Sequence, residues 1–352
     1  MKLFIRFFYI FLITLFILFT TYFISYSFSK NSDPNTLNIF VWGDFFPEET
    51  LKKFEEETGI HLNVNYYGSN EELILKLEST KGVGYDLVFP SDYAVTALKQ
   101  KNLLAPLNKG NLDFMNRIEP YLLDLKFDRK NEHSVPYSWE VYGITHETKK
   151  LPRNFQPSLA ALFEGTYKVI MTADPVEAID FASHYLFGYK NTLSSKEETK
   201  VIQLLKNQKK RVEAYTDDRV QYMISSEDCP VALMRVSFFW KNFEAFPHLQ
   251  IYLPREGVFT TIENVSISAG AEHIDAAYKF INYIYKPEIM AKQFDLSPLF
   301  PACTDTLPFT SLGNIPRYYE ILKEVQSRND LFFTHYLIPQ SKIRPTWVEI
   351  KS

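Results

Sequence analysis

Leu37–Val41 is a continuous apolar run broken only by Asn38, short enough to predict a strand buried in a parallel sheet. Trp42-Gly43-Asp44-Phe45 follows at its carboxyl end, where open α/β sheets keep their ligand crevices. A helix is predicted near Glu48–Thr58, with Glu48 and Glu49 in its first turn and Gly59 as its stop. Leu62–Tyr67 predicts a second strand. Ser69-Asn70-Glu71-Glu72 reads as a capping box opening a helix on which Leu73, Ile74 and Leu77 share one face. Asp86–Phe89 predicts a third strand, and Asp92 a cap for a helix reaching Gln100. This βαβαβ order means a parallel sheet with right-handed crossovers.

The same grammar restarts downstream. Lys168–Thr172 predicts a strand ending at Ala173-Asp174-Pro175, followed by a helix through Phe187. Ser194-Ser195-Lys196-Glu197-Glu198 starts another helix, and Val231–Met234 is a further buried strand. Ile251–Leu253 leads into Pro254-Arg255-Glu256-Gly257, after which Asn264–Ser268 returns as a strand. Ala276–Tyr285 is an amphipathic helix ended before Pro287. Two sheet units with sites at strand ends predict a two-lobed α/β molecule with a cleft between the lobes.

The chain has 352 residues, and its first 29 read differently from the rest. Lys2 and Arg6 precede an uncharged stretch, Phe7 to Ser29, dense in Phe, Leu and Ile. A positive start and an apolar core predict an export leader cleaved after Ser29. The stretch is also long enough to stay as a membrane anchor, and it holds no Cys for lipid attachment. Without Lys2 and Arg6 the formal net charge moves from −4 to −6, which argues against a nucleic-acid partner. The remaining about 320 residues exceed one ordinary core and predict two domains. Cys229 and Cys303 are far apart in sequence, and whether they pair in an oxidising compartment stays open.

Catalytic signatures are missing. The chain contains no Gly-x-Ser-x-Gly, His-Glu-x-x-His, phosphate-binding glycine loop or Cys-x-x-Cys, and its seven His lack metal-ligand spacing. No enzyme activity, metal or cofactor is expected. A large aromatic and a carboxylate at two strand ends suggest instead a site that grips a small cation.

Several ordered segments then carry a specific resemblance. Asn35-Thr36-Leu37 through Trp42, Glu-Thr-Gly-Ile at 57–60, Ser69-Asn70-Glu71 and Tyr85-Asp86-Leu87-Val88-Phe89-Pro90-Ser91 are one set. Pro136-Tyr137-Ser138-Trp139, Thr172-Ala173-Asp174, Pro254-Arg255-Glu256-Gly257 and Phe280-Ile281-Asn282 are the second. Together, from about residue 35 to about 300, they resemble the spermidine/putrescine-binding periplasmic proteins of ABC transporters. The resemblance implies a two-lobed periplasmic-binding-protein fold (type II), each lobe a mainly parallel sheet flanked by helices, with crossing strands as a hinge. It places residues 35–140 and 264–305 in one lobe and 141–263 and 306–352 in the other. It implies a monomer in the periplasm that captures a polyamine and delivers it to an ABC permease in the inner membrane.

By the same resemblance the ligand contacts are Trp42, Phe45, Ser91, Tyr93, Asp174, Glu177 and Glu263. Trp42 and Phe45 match aromatics after the first strand, and Ser91 and Tyr93 match a Pro-Ser-x-Tyr turn. Asp174 and Glu177 match a carboxylate pair for an ammonium group, and Glu263 stands for an Asp that grips a central secondary amine. Departures follow the same comparison: aromatic positions fall on Arg235, on Thr261 and near Pro298. Arg235 is therefore a modifier of the site. Three readings stay open: pointing inward it opposes a polycation, or it neutralises Glu263 or Asp174, or Phe238–Trp240 supplies a replacement ring. Two alternatives stay open, a receptor retuned for another cationic or zwitterionic amine and a hydrolase using Asp174 and Glu177. Plain structural roles also exist for each residue: Trp42 as core, Asp174 as a helix cap, Glu177 as a first-turn acid, Glu263 as a solvated edge residue. Tyr318-Tyr319 lies in an amphipathic C-terminal helix and reads as packing.

Overall fold

The computed structural model describes residues 12–16, 18–20, 33 and 35–352, save 44, 153, 218, 227, 228, 242 and 316. The predicted leader therefore lies outside the described residues, apart from 12–16 and 18–20, which are helical, and so does Asp44. Among the described residues no helix is long and apolar enough to cross a membrane.

Strands β1 (Thr36–Trp42), β2 (His61–Tyr67) and β3 (Leu87–Val88) form a parallel block, with β1 in the middle. Leu37, Ile39 and Val41 enter one hydrophobic cluster and Phe40 the other, so β1 is buried on both faces as its apolar run requires. The first helix ends at Gly59, whose φ of 68° is open to a residue without Cβ. Ser69 caps the next helix by accepting the Glu72 N–H at 3.2 Å, but Glu72 turns back to the Gly68 N–H, not to Ser69. A complete capping box forms instead at Ser194 and Glu197. Ser91, not Asp92, precedes the helix Asp92–Gln100; Asp92 is its buried first residue.

Two long strands follow that differ from expectation. β4 (Val135–Glu147) has thirteen residues, every one buried, although the sequence marks only the motif Pro136-Tyr137-Ser138-Trp139 within it. β5 (Val169–Met171), β6 (Val212–Tyr215) and β7 (Val231–Arg235) make a second parallel block, with β5 in the middle. β8 (Leu249–Tyr252) pairs antiparallel with β4. β9 (Val258–Ile267) starts six residues before the predicted Asn264 and is also buried throughout. β10 (Phe300–Pro301) joins β4, and β11 (Leu331–Phe333) joins β9. The order is β2-β1-β3-β9-β4-β7-β5-β6.

Each block is thus parallel in its outer three strands and continued antiparallel by β4 and β9. β9 pairs with β3 at Ser266 and Ile267 and with β4 from Val135 to Val141. β4 runs on to pair with β7 and β8 from Tyr142 to Glu147. These two strands cross between the blocks. Cys229 and Cys303 are both buried free thiols.

Candidate ligand-binding site

Residues opposite one another in an antiparallel pair share a face. Ser138 stands opposite Glu263, Glu140 opposite Thr261, and Tyr142 opposite Arg235. Alternation along β4 therefore places Ser138, Glu140 and Tyr142 on one face, with Glu263 to one side and Arg235 to the other. This happens where β4 passes from the first block to the second. The polar face of the crossing strands is the floor of the site.

Trp42, at the carboxyl end of β1, donates its indole Nε1–H to Glu263 Oε2 at 2.8 Å. The Ser91 hydroxyl donates to Glu263 Oε1 at 2.7 Å and itself accepts from Asn70 Nδ2 at 3.1 Å. Three of the predicted residues thus meet on one carboxylate. Glu263 is 8% exposed, and burial pushes its carboxyl up to about 7, although Ser91, Arg235 and Trp42 pull the other way. Its two close donors are neutral. The plain reading of Glu263 as a solvated edge residue does not fit this burial.

Tyr93 and Asp174 form a second pair. The Tyr93 hydroxyl donates to Asp174 Oδ2 at 2.8 Å, joining the helix after β3 to the helix after β5. Asp174 Oδ1 accepts the backbone N–H groups of Val176 and Glu177 at 2.8 and 3.2 Å, so the cap role is present as well. Burial, then the neighbouring carboxylates Glu177 and Glu71, push Asp174 up to about 8.

Glu177 lies in a third group around Arg235. Arg235 Nη2 meets Glu177 Oε1 at 2.7 Å, Nη1 meets Glu140 Oε1 at 3.2 Å, and Nε donates to the Tyr142 hydroxyl at 2.6 Å. Tyr142 in turn donates to Glu177 Oε2, which also accepts from Thr172 at 2.8 Å. Ser237 donates to the other Glu140 oxygen. Burial alone would lower the Arg235 guanidinium, but Glu177, Tyr142 and Glu140 more than offset it and hold it charged. The expectation that Arg235 neutralises Glu263 or Asp174 is corrected in part: its direct ion pairs are with Glu140 and Glu177, because β7 places it opposite Tyr142, and its charge acts on Glu263 and Asp174 only from farther off.

A cavity of about 140 Å³ opens on this floor, lined by Trp42, Phe45, Glu140, Arg235, Phe238 and Glu263 among others. Phe45 is mostly core, with Phe46, Phe89 and Tyr137 rings at 4.9, 5.4 and 5.6 Å. Phe238, weighed as a replacement ring, does reach the wall. Ser91, Tyr93, Asp174 and Glu177 are not on the lining of this cavity. Thr261 is buried at 1% exposure, and Ser297 and Leu299 flank the cavity on either side of Pro298.

A profile of the bacterial extracellular solute-binding proteins matches residues 49–311. The chain belongs to that family. Among relatives of this solute-binding protein, the spermidine/putrescine-binding periplasmic protein of Salmonella typhimurium is 28% identical over 260 residues, 73% of this chain and 75% of its own. The putrescine-binding periplasmic protein SpuD of Pseudomonas aeruginosa is 27% identical over 352 aligned positions, 92% of this chain and 94% of its own. A solved structure from Listeria monocytogenes, provisionally assigned to spermidine/putrescine ABC transport, superposes with a TM-score of 0.78 at 26% identity, covering 90% and 99% of the two chains. The Treponema pallidum lipoprotein Tp0655 shares the fold, with a TM-score of 0.76 at 22% identity and coverage of 90% and 99%.

Sequence reasoning missed Glu140, Tyr142 and Asn70 in this solute-binding protein. The signal for the first two was the run Tyr137-Ser138-Trp139-Glu140-Val141-Tyr142, rich in strand-forming aromatics and alternating in polarity. Pro136 and Gly143 at its edges hid it.

Proposed function

We propose that this solute-binding protein captures a polyamine of the spermidine/putrescine class between its two halves and hands it to an ABC permease in the inner membrane. It works in the periplasm as a monomer, without catalysis or a cofactor. Its halves divide as 35–140 with 264–305 and 141–263 with 306–352, hinged on β4 and β9. The relatives named for polyamines support the ligand class.

One observation carries the reading. Glu263 is a buried carboxylate held by neutral donors, with an indole beside it and, among the described residues, no basic side chain within ion-pair distance. A buried carboxylate with no counter-charge is costly, and a ligand ammonium supplies one through a charge-assisted hydrogen bond. Aromatic walls at Trp42 and Phe45 pack the methylenes and attract the cation.

The geometry disfavours the two alternatives. A ligand carboxylate would need Arg235 free, yet Glu140, Glu177 and Tyr142 already hold it. A carboxylate hydrolase would need Glu177 accessible, yet it is 1% exposed with both oxygens engaged. Calorimetric titration with putrescine, spermidine and a neutral amino acid tests the proposal. Polyamine binding without turnover is expected; selective binding of the amino acid would overturn it.

A further inference from the structure

Resting on the polyamine reading, we propose that Asn70 is a positioning residue of the same site. It aims the Ser91 hydroxyl at Glu263 and so keeps that carboxylate an acceptor for a ligand ammonium. Asn70 is not on the cavity lining and acts through Ser91.

The helix Asn70–Thr80 already has its cap, because Ser69 accepts the Glu72 N–H at 3.2 Å. The Asn70 amide is therefore free of that duty. Asn70 is 3% exposed, and among the described residues its side chain hydrogen-bonds to Ser91 alone, at two points. Its Oδ1 accepts the Ser91 backbone N–H at 3.3 Å, and its Nδ2 donates to Ser91 Oγ at 3.1 Å. These two contacts fix which way round the amide lies, since the flipped amide would set donor against donor. The side of Ser91 Oγ that faces Asn70 is thus filled by an incoming donor, and the hydroxyl has one hydrogen to place elsewhere. Glu263 Oε1, at 2.7 Å, receives it.

The backbone supports the same arrangement. The Asn264 N–H donates to the Pro90 carbonyl at 3.0 Å, and Ser91 and Glu263 face each other as an antiparallel bridge. On the other oxygen Trp42 donates at 2.8 Å, and an indole N–H never accepts. Glu263 therefore meets a donor on each oxygen, and each oxygen keeps a second acceptor site. Two donors suit the carboxylate and not the acid, whose own hydrogen would need an acceptor. Ser91 and Trp42 accordingly pull against the burial that pushes this carboxyl up to about 7. The charged and titratable groups around Glu263 are Arg235 on β7, Glu140 on β4, Tyr67 on β2 and Asp92 at the start of its helix. Among the described residues Asn70 bonds to none of these, so its substitution reads the Ser91 route.

Glu263 is followed in the purified, ligand-free full chain by NMR titration of its carboxyl carbon, assigned by the loss of that signal in Glu263→Gln. Asn70→Ala frees the Ser91 side chain to turn away, and Asn70→Asp keeps the shape while offering the hydroxyl a rival acceptor. Each should raise the Glu263 midpoint by about half a unit to one unit, the worth of one hydrogen bond. In a Ser91→Ala background Asn70→Ala should add nothing, and the shift from the charge of Asn70→Asp is measured there and subtracted. By calorimetry, Asn70→Ala should bind putrescine about threefold to tenfold more weakly at mildly acid pH and recover at alkaline pH. A merely structural role would cost the same throughout. An unmoved midpoint in a folded variant, or an equal Asn70→Ala shift with and without the Ser91 hydroxyl, would overturn the positioning role and leave the polyamine reading intact. Failure of the wild type to bind any polyamine would overturn that reading, while the ligand-free titration still decides the role of Asn70.

Discussion

Glu263 concentrates the residue-scale argument. In the folded chain its carboxyl titrates near about 7, against an ordinary value of 4.5. Between those values the folded form holds a proton that the unfolded form has lost. Its contribution to stability is therefore complete below the ordinary value and disappears as pH rises through about 7. Glu263→Gln should melt higher than the wild type at alkaline pH and equally under acid, by ligand-free thermal denaturation. The same variant should lose about 1.5–3 kcal/mol of polyamine affinity in calorimetry, the worth of a hydrogen bond to a charged group. Under the polyamine proposal Glu263 must shed its proton to pair with an ammonium, so affinity should climb from mildly acid to neutral pH. Titrations in buffers of unlike ionisation enthalpy should register proton release; proton uptake would contradict the assignment. Trp42→Phe keeps a ring but removes the indole donor, and should cost about 0.5–1.5 kcal/mol of affinity with the fold intact.

At the scale of elements, β4 is where prediction and structure part. Gly143 sits in it opposite Met234, and a Cβ there would lie 2.4 and 2.7 Å from the Ile251 side chain on β8. Gly143→Ala should therefore lower the unfolding free energy by about 1–3 kcal/mol in urea titration, the cost of overpacking a filled core. β1, β5 and β7 were legible because strands buried on both faces read as plain apolar runs. β4 and β9 are buried on both faces too, but they carry the site, so Ser138, Glu140, Thr261, Glu263 and Asn264 interrupt their runs. Pro136 lacks an N–H and coincides with a shift of register against β9, another break in the pattern that hides a real strand. Trp42, Ser91 and Glu263 were singled out through the family resemblance. Their meeting on one carboxylate was not, since Trp42 and Glu263 are 221 positions apart. The partners of Arg235 depend on β4, a strand that the apolar pattern does not show.

On the scale of the whole molecule, the Tyr93–Asp174 hydrogen bond spans the helices that follow β3 and β5 and ties the two blocks together beside the cavity. Tyr93→Phe should loosen that tie, giving a larger radius of gyration in small-angle scattering without ligand and a smaller difference once ligand is added. Identical scattering from both proteins would show that the tie does not govern closure.

β9 also has a temporal consequence. Its Ser266 and Ile267 lie against β3 and its Val265 against Val135, so the first block's sheet is completed by residues far downstream. A growing polypeptide cannot finish that block until residue 267 has left the ribosome. Strand pairings of such long sequence separation form slowly. Most of the newborn polymer should thus stay thread-like and protease-sensitive during synthesis, a condition suited to passage through a narrow channel before folding.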